Sequence, residues 1–182
     1  GNTLEDKLRM LEPRGMWLEL VNDGLTDHRL KEISEALPSF NVSIRSVQAN
    51  LLRDLRLLGA REEDREIAVH HVEETMKLAS RVGAQNIVAV ATYGEPSVKN
   101  PIEKCIEAFK HFGRLGAELG LTVSIEALGK NRTKFLPSVS DVCSLVQKVG
   151  SDHVRPMADT MHIYDNGENV VEVLKEHASE LM

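Results

Sequence analysis

Two acids and an imidazole are the residues of this chain whose types and spacing could do chemistry. Glu126 falls near the end of the apolar-rich run "LTVSIEAL" (121–128). Asp159 ends the run "VRPMAD" (154–159), and His162 follows three residues later in "MADTMHIYD". The acids are 33 residues apart (159 − 126), about one strand-plus-helix unit, so they would sit side by side at neighbouring strand ends. Adjacent carboxylates repel, and both stay ionised only with a cation between them. Oxygen donors beside an imidazole suit Mn²⁺, Mg²⁺ or Co²⁺ and are compatible with Zn²⁺. A plainer reading stays open. Glu126 and Asp159 would then cap helices or pair with Lys130 and Arg155, and His162 would be a solvated loop residue.

The elements that must position these residues alternate along the chain. Strand-like runs are "MWLELV" (16–21), "VSIRSV" (42–47), "NIVAVAT" (86–92), 121–128 and 154–159. Helical periodicity predicts helices over 3–14, 26–37, 62–82, 101–119, 138–149 and 169–181. Thr26 is an N-cap type, and "RVGAQ", "ELGLT" and "KVGSD" each read as helix, glycine, strand. Strict alternation with short links implies parallel strands joined by right-handed crossovers. No linker or low-complexity tract interrupts the pattern, so residues 1–182 are expected to form one domain.

Composition narrows the function classes. The 182 residues are 42% hydrophobic and 27% charged, with a net charge of −6. That acidity argues against non-specific attraction to nucleic acid or an anionic membrane. No apolar run approaches the ~20 residues of a membrane span. The start "GNTLEDKLRM" lacks the pattern of a signal peptide. Cys105 and Cys143 each lie among helically spaced apolar residues, which reads as core without a disulfide framework or zinc spacing. A cytoplasmic setting follows as the expectation.

Two parallel architectures fit, an open doubly wound sheet and a (β/α)₈ barrel. No G-x-G-x-x-G follows the first strand, which weakens a dinucleotide fold. A barrel gathers functional groups at its C-terminal strand ends. Here those ends offer Glu19, Gln48, Thr92 with Tyr93, Glu126 and Asp159. About five strands fit the length, whereas a full barrel takes about 250 residues. The expectation is therefore a TIM-barrel type α/β fold that is incomplete in this chain. An open sheet edge would invite pairing with another chain, including a second copy of this one. The connection 50–64 is either a lid, with Arg53 or Arg56 meeting an anionic substrate, or a short helix packing Leu52, Leu55 and Leu58. Strand alternation points Trp17 outward to the helices and Glu19 to the site. His70 and His71 diverge on a helix, and His28, His111, His153 and His177 lack a partner at useful spacing.

The stretch "SIEALGKNRTKFLPSVSDVCSLVQKVGSDHVRPMADTMHIYD" resembles the xylose isomerase-like TIM barrels, and within them the ketose 3-epimerases. The family's Glu-Pro-Leu-Asn-Arg and Asp-Thr-Phe-His motifs have counterparts in Glu126-Ala127-Leu128, Thr133 and Asp159-Thr160-Met161-His162. "HHVEETMKLASRVGAQNIVAV" resembles the preceding helix and strand. The resemblance implies a divalent-metal-dependent isomerase or epimerase of sugars or sugar phosphates, acting through a cis-enediolate. It makes Glu126 a metal ligand and half of an acid–base pair, and Asp159 a second ligand. His162 would contact substrate hydroxyls, and Glu19 and Gln48 would lie in the substrate pocket.

Departures qualify the substrate. Ala127, Gly129 and Lys130 replace the family's Pro, Asn and Arg, and Arg132 stands where a sugar-binding acid is expected. Arg132 would suit an anionic substrate. The family's remaining ligands, a His and a second catalytic Glu, come from later strands than this chain contains. One alternative is a non-catalytic barrel that binds a sugar or a partner chain. Another is the sister endonuclease IV branch, which expects histidines where Gln48 and Thr92 stand.

Overall fold

The computed structural model describes residues 3–22 and 25–181. Five strands, β1 (Leu18–Val21), β2 (Ile44–Gln48), β3 (Asn86–Ala89), β4 (Thr122–Glu126) and β5 (Val154–Met157), form one sheet in chain order. Every neighbouring pair is parallel. Helices α1 (Leu4–Leu11), α2 (Asp27–Ala36), α3 (Glu62–Arg81), α4 (Pro101–Leu119), α5 (Val139–Val149), α6 (Thr160–Asp165) and α7 (Val170–Glu176) complete the order. The alternation is the expected one, and the five strands make part of a TIM-type barrel.

Register explains why the sheet has two unlike faces. Leu20, Val47, Ile87, Val123 and Val154 pair in one row across all five strands. The last four are fully buried, on the face covered by α3, α4 and α5. The alternate residues are mostly polar: Glu19, Ser46, Asn86 and Thr122 form one row, and Gln48, Val88, Ser124 and Arg155 the next. Ser46 donates its hydroxyl hydrogen bond to Glu19. Ser124 Oγ donates to Asn86 Oδ1 at 2.8 Å. Side chains on a strand point alternately to opposite faces, so the chemistry-bearing residues share the face away from the helices.

Several boundaries differ from expectation. β3 stops at Ala89 and β4 at Glu126, yet Val90, Ala91, Thr92, Ala127 and Leu128 remain buried. Burial thus continues past the last paired residues, and Ala127 N still donates to the Met157 carbonyl at 3.3 Å. The N-terminal helix becomes a 3₁₀ turn at Glu12–Arg14, and the terminal helix ends at Glu176 rather than 181. Gly120 and Gly150 cap α4 and α5 with φ of 67° and 64°, as the sequence suggests. The 50–64 connection opens with a 3₁₀ turn and buries Leu52 and Leu58. Trp17 does not face the helices. It precedes β1, is 60% exposed, and carries the Arg45 guanidinium 5.2 Å above its ring.

The histidines have more partners than their spacing suggests. His111 meets Glu73 at 2.6 Å, and His153 Nδ1 meets the Leu121 carbonyl at 2.8 Å. His28 lies 4.0 Å from Glu32, and His177 Nδ1 3.1 Å from Glu180. Two of these contacts, His111–Glu73 and His153–Leu121, join separate elements, which sequence spacing does not show.

α4 approaches the sheet closely through its glycines. A Cβ at Gly116 would lie 2.8 Å from the Leu121 carbonyl oxygen and 3.2 Å from His153 Cβ. Backbone at that distance cannot move aside cheaply. Gly116→Ala gains about 1 kcal/mol of helix propensity but incurs about 1–3 kcal/mol of overpacking. The expected net result in urea unfolding is a less stable protein. A variant more stable than the parent would show that α4 has room to withdraw.

Candidate functional site

Glu126 is the last residue of β4, and its register partner is Met157. Asp159 stands two residues beyond Met157, so alternation returns it to the same face. There the chain turns into α6. Asp159 is the N-cap of that helix, and its Oδ1 accepts from Met161 N at 2.7 Å. His162 is the third helical residue, so cap and N3 lie over one another on the first turn. His162 is thus a buried helix residue, not a solvated loop residue. The plainer reading of Asp159 as a cap holds, and the cap is also what aims both side chains.

One ligand atom each from Glu126, Asp159 and His162 lie within 4.8 Å of one another. His162 Nε2 is 3.8 Å from Glu126 Oε1, and both side chains are buried. That separation is too long for a hydrogen bond. Among the described residues, the Glu126 carboxyl accepts no hydrogen bond and has no ion-pair contact with a Lys or Arg. Lys130 does not pair with it; its backbone N–H instead donates to Asn166 Oδ1 at 2.7 Å.

Electrostatics follow from this isolation. Burial, and then the charges of Asp159 and Glu19, push the Glu126 carboxyl up to about 7, against a weaker pull from Arg132. Burial likewise holds the His162 imidazole below its ordinary value, although Asp159 opposes this. The imidazole is therefore biased to its neutral form, whose lone pair can ligate a cation. A buried carboxyl without hydrogen bonds, a second acid and a neutral imidazole fit a divalent cation. Two of the donors are oxygens and one is nitrogen.

The remaining expected residues stand at other strand ends and on the loop after β4. Glu19 is exposed on the edge strand β1, and Glu126 feels its charge. Gln48 ends β2, half-buried, in the row of Val88 and Ser124. Arg132 is exposed on the loop after β4, and its charge reaches Glu126, His162 and Tyr93. That loop is tied to the one after β3: Gly94 N donates to the Arg132 carbonyl at 2.7 Å, and Lys134 N to the Gly94 carbonyl at 2.9 Å. Thr133 Oγ1 donates to the Gly94 carbonyl at 3.1 Å. Gly129 has φ 78°, and a Cβ there would lie 3.3 Å from the His162 carbonyl, so glycine lets the loop close onto α6.

Sequence reasoning gave Tyr93 no role. It is half-buried, and burial and the Glu126 charge push its phenol up, while Arg132 offsets this by charge and a hydrogen bond. The available signal was its place beside Thr92 after the third strand. It stands four residues past Ala89, too far for strand alternation to place it.

A sequence model described as xylose isomerase-like TIM barrel matches residues 8–181. The chain belongs to that family. No curated protein sequence matches it. Among solved structures, the chain is similar to the 3-keto-D-glucoside 4-epimerase YcjR from E. coli, with 15% identity and a TM-score of 0.80, covering 100% of this chain and 72% of that one. It is similar to D-psicose 3-epimerase from Clostridium cellulolyticum H10, solved with D-tagatose, with 13% identity, a TM-score of 0.81, and 100% and 66% covered. It is also similar to an IOLI protein with a zinc atom, with 17% identity, a TM-score of 0.73, and 96% and 64% covered. At such identities the likeness is one of fold. This xylose isomerase-like chain spans 72%, 66% and 62% of three of these barrels, the third an L-ribulose 3-epimerase.

The raised Glu126 value has a stability consequence in metal-free protein. Between its ordinary value of 4.5 and about 7, the folded chain keeps a proton that the unfolded chain has released. Glu126 therefore stabilises the fold below that window, and the contribution is lost as pH rises through it. Glu126→Gln removes the loss. The variant should match the parent near pH 4 and exceed it near pH 8, by on the order of 3 kcal/mol. Urea unfolding in chelator at both pH values checks this, and an equal difference at both would contradict it.

Proposed function

We propose that this protein is a divalent-metal-dependent sugar or sugar-phosphate isomerase/epimerase. The observation that carries the reading is the convergence of Glu126, Asp159 and His162 at the C-terminal ends of adjacent strands, with no Lys or Arg in ion-pair contact with Glu126 among the described residues. Family membership, and the fold likeness to barrels described as sugar epimerases, support it.

Glu126, Asp159 and His162 would hold the cation. When bound, a divalent cation supplies Lewis acidity, polarising the substrate carbonyl and making the neighbouring C–H acidic. Glu126 has two carboxylate oxygens, so ligation through one leaves the other to take that proton. Its burial keeps bulk water from competing for that proton. Loss of the proton gives a cis-enediolate, and return to the same or the adjacent carbon gives the epimer or the isomer. Asp159 would fix the cation from the start of α6, and His162 would also contact substrate hydroxyls. Tyr93 and Gln48 offer hydrogen-bonding groups beside the group, and Glu19 lines the open face. Arg132 would meet an anionic substituent, which favours a sugar phosphate over a neutral sugar.

Two measurements test this reading. Calorimetry with Mn²⁺ should show saturable binding in the parent and at least about tenfold weaker binding in Asp159→Asn, which keeps the helix cap but removes the charge. Solvent deuterium incorporation into a panel of ketoses and ketose phosphates, followed by NMR, should fall about 10²–10⁴-fold in Glu126→Gln. Arg132→Ala should weaken phosphorylated substrates more than neutral ones. A parent that neither binds Mn²⁺ nor exchanges any substrate proton would leave the non-catalytic reading, a barrel that binds a sugar or a partner chain.

A further inference from the structure

A second set of donor atoms converges away from the strand ends. Cys143 lies on α5, His177 caps the C-terminus of α7, and Glu180 follows it. The Cys143 sulfur, a His177 ring nitrogen and a Glu180 carboxylate oxygen lie within 4.8 Å of one another. Cys143 is 4% and His177 8% exposed. Cys143 is the core residue the sequence suggests, whereas His177, which its spacing leaves without a partner, meets Glu180.

We propose that Cys143, His177 and Glu180 form a second cation site, selective for Zn²⁺ over Mn²⁺ or Mg²⁺, that ties the C-terminal segment to α5. Three donors of different softness meet there, one each of sulfur, nitrogen and oxygen. A thiolate and an imidazole favour Zn²⁺, whereas Mn²⁺ and Mg²⁺ prefer oxygen. In metal-free protein hydrogen bonds hold the Glu180 carboxylate in place. His177 Nδ1 is 3.1 Å from Glu180 Oε2, and Gln147 Nε2 donates to Glu180 Oε1 at 3.1 Å. Burial and the Glu180 charge push the Cys143 thiol up to about 12. A bound cation reverses that bias, because a coordinating thiol gives up its proton, here to solvent. A cleft of about 240 Å³, lined by Gln147, Gly150, Asp152, Ser179 and Glu180, opens beside the carboxylate. Solvent thereby reaches the Glu180 side of the group.

Co²⁺ as a spectroscopic stand-in tests the site under reducing conditions. The parent should develop a thiolate-to-Co²⁺ charge-transfer band that saturates at one ion per chain and is discharged by Zn²⁺. The band should persist in Asp159→Asn, which disables the other group, and vanish in Cys143→Ser. Zn²⁺ should raise the melting temperature of Asp159→Asn but not of the double variant Asp159→Asn/Cys143→Ser. Glu180→Gln removes a partly exposed carboxylate, and should weaken Co²⁺ binding at least tenfold even if Cys143→Ser folds poorly. No band in the parent, or a band that survives Cys143→Ser, would overturn the proposal.

Discussion

Parallel pairing sends all five strands the same way, so their C-terminal ends share one edge of the sheet. Everything at the candidate site depends on that constraint. Glu126 and Asp159 are distant in sequence but belong to adjacent strands, and register puts both on the face away from the helices. The other face has no such freedom. Its row from Leu20 to Val154 is consumed by packing against α3, α4 and α5, which leaves the opposite face to carry polar groups.

The polar face is not charge-balanced. Glu126 sits near Asp159 and Glu19, and only the exposed Arg132 offsets them. Water cannot repair this well, because the Glu126 side chain is 7% exposed. The carboxyl answers by holding its proton, and His162 answers by remaining neutral. Both responses leave lone pairs aimed into a shared space. The loops reinforce the arrangement, with Thr133 joining two of them and Asn166 bridging from α6 to Lys130 N and the Pro137 carbonyl.

Much of this is legible in the sequence, for physical reasons. The βα alternation shows because burial imposes a period of two on strands and 3.6 on helices. Glu126 and Asp159 show because acids at the ends of apolar strands are out of place unless used. The failures have causes too. α6 has six residues, too few for periodicity to register, so His162 reads as loop. Val90 to Thr92 read as strand because burial beyond the end of a ladder looks in sequence like burial within it. Tyr93 lies past the last paired residue of β3, where alternation no longer places a side chain. The approach of Cys143 to His177 and Glu180 depends on how the C-terminal segment docks, and sequence spacing carries no trace of docking.

Asp159 is at once the first hydrogen-bond acceptor of α6 and one of the acids beside Glu126. The two demands can be separated by mutation in only one direction. Asn or Ser would still cap the helix and lose the charge. No residue other than Asp satisfies both roles, since Glu caps poorly. A lineage that abandoned cation chemistry could therefore drift to Asn or Ser here without unravelling its first turn, and would keep an intact barrel segment. In related sequences, the side chain at this one position would record whether the ancestral chemistry had been relinquished before the fold itself began to erode.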